Sequence, residues 1–398
     1  MISVNEAQNR LLNLVQPMQS EPVMLTNAQG RILAASVISQ TSQPPFNASA
    51  MDGYAIQRKD YRKTAQLRVV GSAAAGTPFD GKVQSGEAVR IFTGGVIPDG
   101  ADFVLIQENV ERDGKMVRIA DADQSQNYIR KAGQDFEIGS QISAQQALTP
   151  ALISQIASMG YGDVTCHKQP SIAVISTGDE LIPPGSELAK GEIFASNSYG
   201  LKAAIGRYGA DVHILPIARD TEQSLREIFA LALSCDLIIT SGGASVGDHD
   251  LVMPVAQSLG LKADFHKVKM RPGKQLMAGR FKNGPAFVGL PGNPVSALVC
   301  AEIFIAPMIR KMLGLSQMVT VPLQAVLSEE IAANGNREHY MRGQFWHEGG
   351  TLKALPFGRQ DSALMSVLSS ANCLIRRQPN ESAQAAGALI DIITLENI

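Results

Sequence analysis

From Ser171 onward the chain alternates short apolar runs with amphipathic stretches, and this alternation narrows the possible folds more than any other feature. SIAVIS (171–176) is continuously apolar, as a strand buried on both faces must be. Helix patterns follow around 197–208, around 221–234 after Thr221, near 251–259, and from about Val295 to Met312. Between them lie the strand patterns VHILPIA, DLIIT and FVGL (287–290). Strands alternating with helices predict a doubly wound parallel α/β domain.

The flanks read differently. Over 65–119 the runs LRVV, AVRIF, DFVLIQ and MVRI are short, β-rich and separated by Gly, Pro and Asp turns, with an Asp-Gly hairpin signal in ERDGK. The stretch TSQPPFNASAMDG (41–53) before it is a long polar loop. From Thr320, VTVPLQAVL, MRGQFWH, TLKALP, NCLIRR and ALIDIITL predict a small β-barrel or sandwich. At the start, Ala7, Leu11, Leu12 and Val15 recur as on an amphipathic helix stopped before Pro17. Thr149 is the expected N-cap of a helix with Pro150 at its first position. At 398 residues the chain exceeds one ordinary core, and about two to four domains are expected.

An apolar fraction of 45% and a charged fraction of 18% describe a soluble globular chain. A formal charge of −2 gives no footprint for a general nucleic-acid binder. Cys166, Cys235, Cys300 and Cys373 are scattered, which argues against a zinc site or a disulfide framework and for buried thiols in a reducing compartment. Glu6 interrupts the N-terminus where a secretion signal needs an apolar core, and the apolar run 297–309 is too short to span a bilayer and contains Glu302. A cytoplasmic protein is expected.

The chemistry concentrates at three strand ends. SIAVIS runs into Thr177-Gly178-Asp179-Glu180. DLIIT runs into the ten residues Ser241-Gly242-Gly243-Ala244-Ser245-Val246-Gly247-Asp248-His249-Asp250. FVGL runs into Pro291-Gly292-Asn293-Pro294. In an open parallel sheet such ends face one crevice. Glycines there let backbone N–H groups turn towards phosphate or another anion. The common nucleotide motifs are missing, since Asp248 stands where a P-loop needs lysine. Each loop alone is also compatible with a plain tight turn. In HKVKMRPGK, alternation predicts Lys267, Lys269 and Arg271 on one strand face, with Lys274 beyond the Pro272-Gly273 turn. That face could neutralise phosphate or a tetrahedral dianion, Arg271 gripping it through two N–H groups, or it could simply be solvated. The acids Glu180, Asp220, Asp248 and Asp250 near the same edge suit Mg²⁺ held with substrate oxygens. His249 is either a structural histidine or an acid–base group.

Several motifs together resemble the molybdopterin molybdenumtransferases, the MoeA family of molybdenum insertases, related to the C-terminal domain of gephyrin. They are Asn47-Ala48-Ser49-Ala50-Met51-Asp52-Gly53-Tyr54-Ala55, Thr93-Gly94, Ala132-Gly133-Gln134-Asp135, Ser176 to Leu181, Ser241 to Asp250, Arg271-Pro272-Gly273-Lys274 and Gly289 to Pro294. The resemblance covers nearly the whole chain in the family's order. It implies a discontinuous linking subdomain (1–38 and 140–168), an inserted all-β lobe (39–139), an α/β molybdopterin-binding domain (169–316) similar to molybdopterin adenylyltransferase, and a C-terminal β-barrel (317–398). It also implies a homodimer whose active cleft lies between the α/β domain of one subunit and the inserted lobe of the other.

Carried over by position, the resemblance implies catalytic roles for Asp52, Thr93, Glu180, Asp220, Asp250, Lys267 and Arg271. It implies substrate contacts by Asp135, Arg342 and Ser362, to which the reading of the turns and charges adds Ser241, Gly242, Gly243, Ser245, Gly247, Asp248, Lys269, Lys274, Pro291, Gly292, Asn293 and Pro294, with Glu180 and Asp250 as the expected carboxylates on Mg²⁺. Arg271 departs from the pattern, standing where many members have lysine; Ala244 and Gly95 differ without altering charge. The implied reaction inserts molybdate into adenylylated molybdopterin and releases AMP. Transient contacts with the adenylyltransferase and with molybdoenzyme apoproteins come with it. The alternatives are a non-catalytic molybdopterin or molybdate sensor, a gephyrin-like scaffold, and an enzyme that takes tungstate.

Overall fold

Ser3 opens the first helix, α1 (Val4–Asn13), by accepting the Glu6 N–H at 3.1 Å. Its buried stripe is Val4, Ala7 and Leu11, three and four residues apart. Leu12, expected on that stripe, is half-buried, and the helix ends at Asn13, earlier than Pro17 would require. The computed structural model describes residues 1–243 and 251–395. These form two units, one of Met1–Glu21, Gly30–Ala34 and Cys166–Ile398, the other of Pro22–Gln29 and Ala35–Thr165.

The second unit is built on a six-stranded sheet. Its strands are β1 (Gly53–Ile56), β2 (Gln66–Ala73), β3 (Glu87–Ile91), β4 (Phe103–Ile106), β5 (Val110–Asp113) and β6 (Met116–Ile119), in the spatial order β4-β1-β3-β2-β6-β5. Alternate residues feed two cores: Tyr54, Ile56, Phe103 and Leu105 enter one, and Ala55, Val89, Ile91 and Val104 the other. The predicted hairpin joins β5 to β6, with Gly114 at a φ of +56°. Helix α2 (Pro150–Ser158) begins as its sequence predicts, with Thr149 Oγ1 accepting the Leu152 N–H at 3.2 Å.

The first unit holds the α/β domain. Its strands are β7 (Ser171–Ser176), β8 (Asp211–Ile214), β9 (Leu237–Ser241), β10 (Leu261–Lys267), β12 (Gln275–Phe281) and β13 (Ala286–Leu290), with the short β11 (Met270–Arg271) between β10 and β12 in the chain. The sheet order is β8-β7-β9-β13-β12-β10. The first four strands are parallel, as the apolar runs predicted, and β12 and β10 extend the sheet antiparallel. Helix α3 (Ser196–Gly206) sends Leu201 and Ile205 to one face, where α1 also packs; α4 (Glu222–Ala232) and α5 (Val252–Ser258) cover the other with Leu225, Phe229 and Val255. From β7 the chain crosses to β8 on one side and then to β9 on the other. The strand order therefore reverses beside β7, where ligands enter such sheets. After β13, α6 (Pro294–Cys300) continues through a π-helical turn, Ala301–Ile305, into α7 (Ala306–Met312).

The C-terminal strands are β14 (Leu323–Leu327), β15 (Glu338–Glu348), β16 (Thr351–Pro356), β17 (Cys373–Arg377) and β18 (Leu389–Thr394). They run β15-β16-β14-β18-β17, and β17 pairs back to β15, which closes a barrel. Ala325, Leu327, Ala354, Ile375, Ile390 and Ile392 fill it. Strand β11 adds to the outside of β15 in parallel, aligning Met270 with Glu338 and Arg271 with His339.

That pairing corrects the expectation of Lys267, Lys269 and Arg271 on one strand. Strand β10 ends at Lys267 after two register shifts, and Arg271 belongs to β11 on the barrel. Val268 and Met270 are fully buried in the shared core, and Lys269 donates its N–H to Ile2 O while accepting from Glu338 N–H. Burying those two apolar side chains turns the chain out of the α/β sheet. Among the described residues no helix is long and apolar enough to cross a membrane.

Candidate active site

At the order reversal, β7 ends at Ser176-Thr177 and β9 at Ser241-Gly242. The loops approach so closely that a Cβ on Gly242 would lie 2.6 Å from Thr177 O, and Gly242 has a φ of +99°. No side chain fits there, which explains the glycine. Asn197, near the start of α3, ties the edge together: its Nδ2 donates to Ser241 Oγ at 2.9 Å and to Gly292 O at 2.8 Å. The result is a cleft of about 120 Å³ lined by Ser176, Thr177, Glu180, Asn197, Ser241 and Gly292, with Gly242 and Pro294 at its wall. Ser176 Oγ and Thr177 Oγ1 are buried there and make no hydrogen bond among the described residues. Buried hydroxyls without partners are uncommon. Gly243 follows with a φ of +59°. Ala244, Ser245, Gly247, Asp248, His249 and Asp250 lie outside the described residues.

Acids gather beside this cleft. Glu180 folds back over Gly178, where a Cβ would meet its Oε2 at 2.5 Å. Asp220 donates its N–H to Asp179 Oδ1 at 3.0 Å. Burial raises the Asp220 carboxyl above its ordinary range, and the charges of Asp179 and Glu180 raise it further. The raised group costs the folded state while ionised, and the cost disappears as pH falls below the ordinary carboxylate range. Asp220→Asn is accordingly expected to raise Tm by about 1 °C at pH 7 and by nothing at pH 3, a comparison thermal melts at the two pH values can make. Among the described residues no three His, Cys, Asp or Glu side chains form a metal cage. The acids fit Mg²⁺ in its usual manner, with one or two carboxylates and the rest of the shell from substrate oxygens and water.

A second, larger cavity of about 760 Å³ opens where the α/β turns meet the barrel. Arg271, Lys274 and Asn293 line it from the α/β side, and Arg337, His339 and Ser362 from the barrel side. Asn293 Nδ2 donates to Ser362 Oγ at 3.0 Å, which locks the Pro291–Pro294 turn to the barrel. Arg342, fully buried, donates Nη2 to the carbonyls of Arg359 (3.3 Å) and Asp361 (3.1 Å). Its Nε and Nη1 find no acceptor among the described residues, and no carboxylate there hydrogen-bonds to it. Burial, with Arg271 nearby, lowers its pKa from the usual guanidinium value, against the opposing charge of Asp361. Asp361, the acid on the wall, accepts the Ala363 N–H at 2.9 Å within its own turn. The cavity is therefore markedly cationic. A buried guanidinium that bonds to no carboxylate is costly unless an anion meets it.

In the other unit, Asp52 Oδ1 accepts both the Thr93 N–H (2.7 Å) and the Thr93 hydroxyl (2.9 Å). The backbone bond, then the hydroxyl, holds the Asp52 carboxyl below its ordinary value. Arg90 donates to Gly53 O at 3.0 Å beside the pair. Asp135 follows the Gly133 turn, its N–H donating to Gln43 O, and no hydrogen bond joins it to Asp52 or Thr93.

The three segments each have a known counterpart. Residues 2–160 match the MoeA N-terminal region (domain I and II), 173–311 a probable molybdopterin binding domain, and 324–395 the MoeA C-terminal region (domain IV). A molybdopterin molybdenumtransferase of Haemophilus influenzae is 35% identical over 399 residues, covering 98% of both chains. This chain belongs to the molybdopterin molybdenumtransferase family. A molybdenumtransferase of Nostoc is 36% identical over 86% of this chain and 82% of its own. The fold matches a molybdopterin biosynthesis MoeA protein from Pyrococcus horikosii with a TM-score of 0.84 at 27% identity, covering all of both chains. The chain is an enzyme of molybdenum cofactor biosynthesis.

Of the positions the sequence singled out for this molybdenumtransferase, Glu180, Ser241, Gly242, Gly292 and Pro294 share the small cleft; Arg271, Lys274, Pro291, Asn293 and Ser362 share the large cavity with Arg342 behind it. Lys267, Lys269 and Asp220 line neither. Sequence reasoning missed Asn197, Arg337, His339 and Gln360. The first of these carries no motif. The alternation Arg337-x-His339-x-Met341, which leads into β15 and continues along it, brings three wall residues to one side and was the available signal.

Proposed function

We propose that the enzyme inserts molybdate into adenylylated molybdopterin and releases AMP, with the dianion held in the 760 Å³ cavity and a substrate phosphate at the 120 Å³ cleft. The observation that carries this reading is the buried guanidinium of Arg342, hydrogen-bonded to no carboxylate among the described residues, behind a wall where Arg271, Lys274 and Arg337 outnumber the single acid Asp361. Such a wall suits a compact dianion, to which Arg offers two parallel N–H donors and Lys a point charge.

The physical task is to bring several anions together. Gly242 lets a phosphate reach the backbone at the cleft, beside the Ser176 and Thr177 hydroxyls, and Asn197 fixes the cleft's edge through its bonds to Ser241 and Gly292. Arg271, Lys274, Arg337 and Arg342 balance the charge of the oxyanion and fix it near the Pro291–Pro294 turn that the two cavities share. The rate gain then comes from orientation and fixed charge. Glu180, with Asp250, is the proposed carboxylate pair for Mg²⁺, which when bound supplies positive charge at phosphate oxygens. Lys267 and Lys269 are proposed to add charge at the cavity's approach. Asp52, Thr93 and Asp135 belong to the other unit, and we infer that a second copy supplies them in a homodimer. We place the reaction in the cytoplasm, where the thiols of Cys166, Cys235, Cys300 and Cys373 remain free.

The test is AMP release from adenylylated molybdopterin, with molybdate and tungstate in parallel. Oxyanion-dependent release supports the reading; binding of pterin and molybdate with no AMP formed would leave a sensor instead. Asp52→Ala is expected to lose about 10²-fold or more in this assay while Tm falls by only a few degrees, since among the described residues the Asp52 carboxylate bonds only to Thr93 and its loss opens no core. Wild-type rates from that variant would remove Asp52 from the chemistry.

A further inference from the structure

The Pro291–Pro294 turn lies between the two cavities and divides its residues between them. Pro291 and Asn293 line the large one, Gly292 and Pro294 the small one. Whatever fixes this turn against the end of β9 therefore fixes how far apart the two sites lie. Past the last strand pair, Ser241 with Leu290, the backbone ties them weakly: Gly242 donates its N–H to Leu290 O at 3.4 Å, longer than an ordinary bond. The loops otherwise meet glycine to glycine, a Cβ on Gly292 standing 3.7 Å from Gly242 Cα. Asn197 is the one side chain among the described residues that hydrogen-bonds to both, its Nδ2 donating to Ser241 Oγ at 2.9 Å and to Gly292 O at 2.8 Å. It is half-buried in the first turn of α3, whose Leu201 and Ile205 are fixed in the core. On the other flank Asn293 Nδ2 holds Ser362 Oγ, so the turn is pinned from two sides.

We propose that Asn197 is a positioning residue that holds the phosphate cleft and the oxyanion cavity at their working separation, through the Ser241 end of β9 and the Gly292 turn. The role rests on the reading of these cavities as the phosphate and oxyanion sites. Two anions held side by side repel, and the repulsion acts to part the walls that hold them. An amide suits the task because one nitrogen carries two N–H donors, one for each loop. Both donors are taken up by the protein, and the remaining amide oxygen is an acceptor that attracts no anion. Asn197 therefore acts through the loops rather than by contact with a reactant. Each anion keeps its own donors when the tie is lost, so affinity for either alone should change little. The spacing changes instead, and a misplacement of about 1 Å can cost about 10²-fold in rate.

Asn197→Ala and Asn197→Leu test this, the second keeping the volume without the amide. Each is measured by AMP release from adenylylated molybdopterin with molybdate. Each is also titrated calorimetrically with sodium molybdate, with AMP, and with molybdate in the presence of saturating AMP. In both variants kcat should fall about 10- to 100-fold, while Kd for molybdate alone and for AMP alone stays within about 3-fold of wild type. Tm should fall by only a few degrees, since two hydrogen bonds are lost and no core is opened. A kcat within about 3-fold of wild type in both variants overturns the proposal. So does a loss of both affinities that matches the loss of rate, which would make Asn197 a general support of the edge. Failure of both variants to fold overturns it too. If wild type binds AMP and molybdate but releases no AMP, insertion falls as the function, and Asn197 is judged by the ratio of molybdate Kd with AMP to that without. A ratio that shifts in both variants supports the tie, and an unchanged ratio overturns it. If wild type binds neither ligand, both readings fall.

Discussion

Arg342→Met is expected to reduce AMP release by about 10²- to 10³-fold while leaving the unfolding free energy within about 1 kcal/mol of wild type. The two halves follow from the same geometry. Arg342 is fully buried, its Nε and Nη1 are unpaired, and its two bonds run to carbonyls rather than to a carboxylate. Removing the charge relieves a buried cation, which is favourable; leaving the Arg359 and Asp361 carbonyls short of a donor is unfavourable by about 1–3 kcal/mol. Methionine keeps most of the volume and adapts to the space. Arg342→Lys should fall between, keeping charge but losing the planar fork. Urea unfolding beside the AMP assay separates the outcomes: a large loss of stability with proportionate loss of activity would mean that Arg342 is structural.

Gly53→Ala should be the most damaging single methyl addition in the second unit. The residue sits in β1 between β3 and β4, and a Cβ built on it lies 2.0 Å from Leu105 O, well inside van der Waals contact. The obstacle is backbone of a buried neighbouring strand and cannot swing aside. A cost of about 3–4 kcal/mol is expected, with faster amide exchange across β1 and β4. Activity should fall with it, because Asp52 directly precedes Gly53 and the strand sets its carboxylate against Thr93. Gly114→Ala is the control: nothing lies within 4 Å of its Cβ, and only its φ of +56° is penalised, at about 1 kcal/mol. Equal stability of the two variants would refute the steric account.

The α/β domain was legible because its strands are buried on both faces. SIAVIS, DLIIT and FVGL are continuous apolar runs, and their ends do converge on one sheet edge. The antiparallel strands β10 and β12 were less so. QLMAGRF carries Arg280 and a glycine required only by its neighbour, since a Cβ on Gly279 would lie 2.5 Å from Lys262 O. The lysines of HKVKMRPGK alternate as a strand should, and burial follows that alternation, but periodicity cannot say that the strand changes sheets between Lys267 and Met270. In the large cavity, Arg271 and Lys274 were visible beside a Pro-Gly turn. His339 was not, because its place on that wall comes from folding. Asn197 illustrates the same limit: two hydrogen bonds to residues 44 and 95 positions away give it its place, and nothing local announces them.

The ladder of two residues between β11 and β15 has an evolutionary corollary. The small cleft draws its whole lining from positions 176–294, whereas the large one takes Arg337, His339 and Ser362 from beyond the last α/β helix. A stand-alone ancestor of the α/β domain would thus have kept the small cleft whole but only half the wall of the large cavity, and gaining the C-terminal module would have completed it.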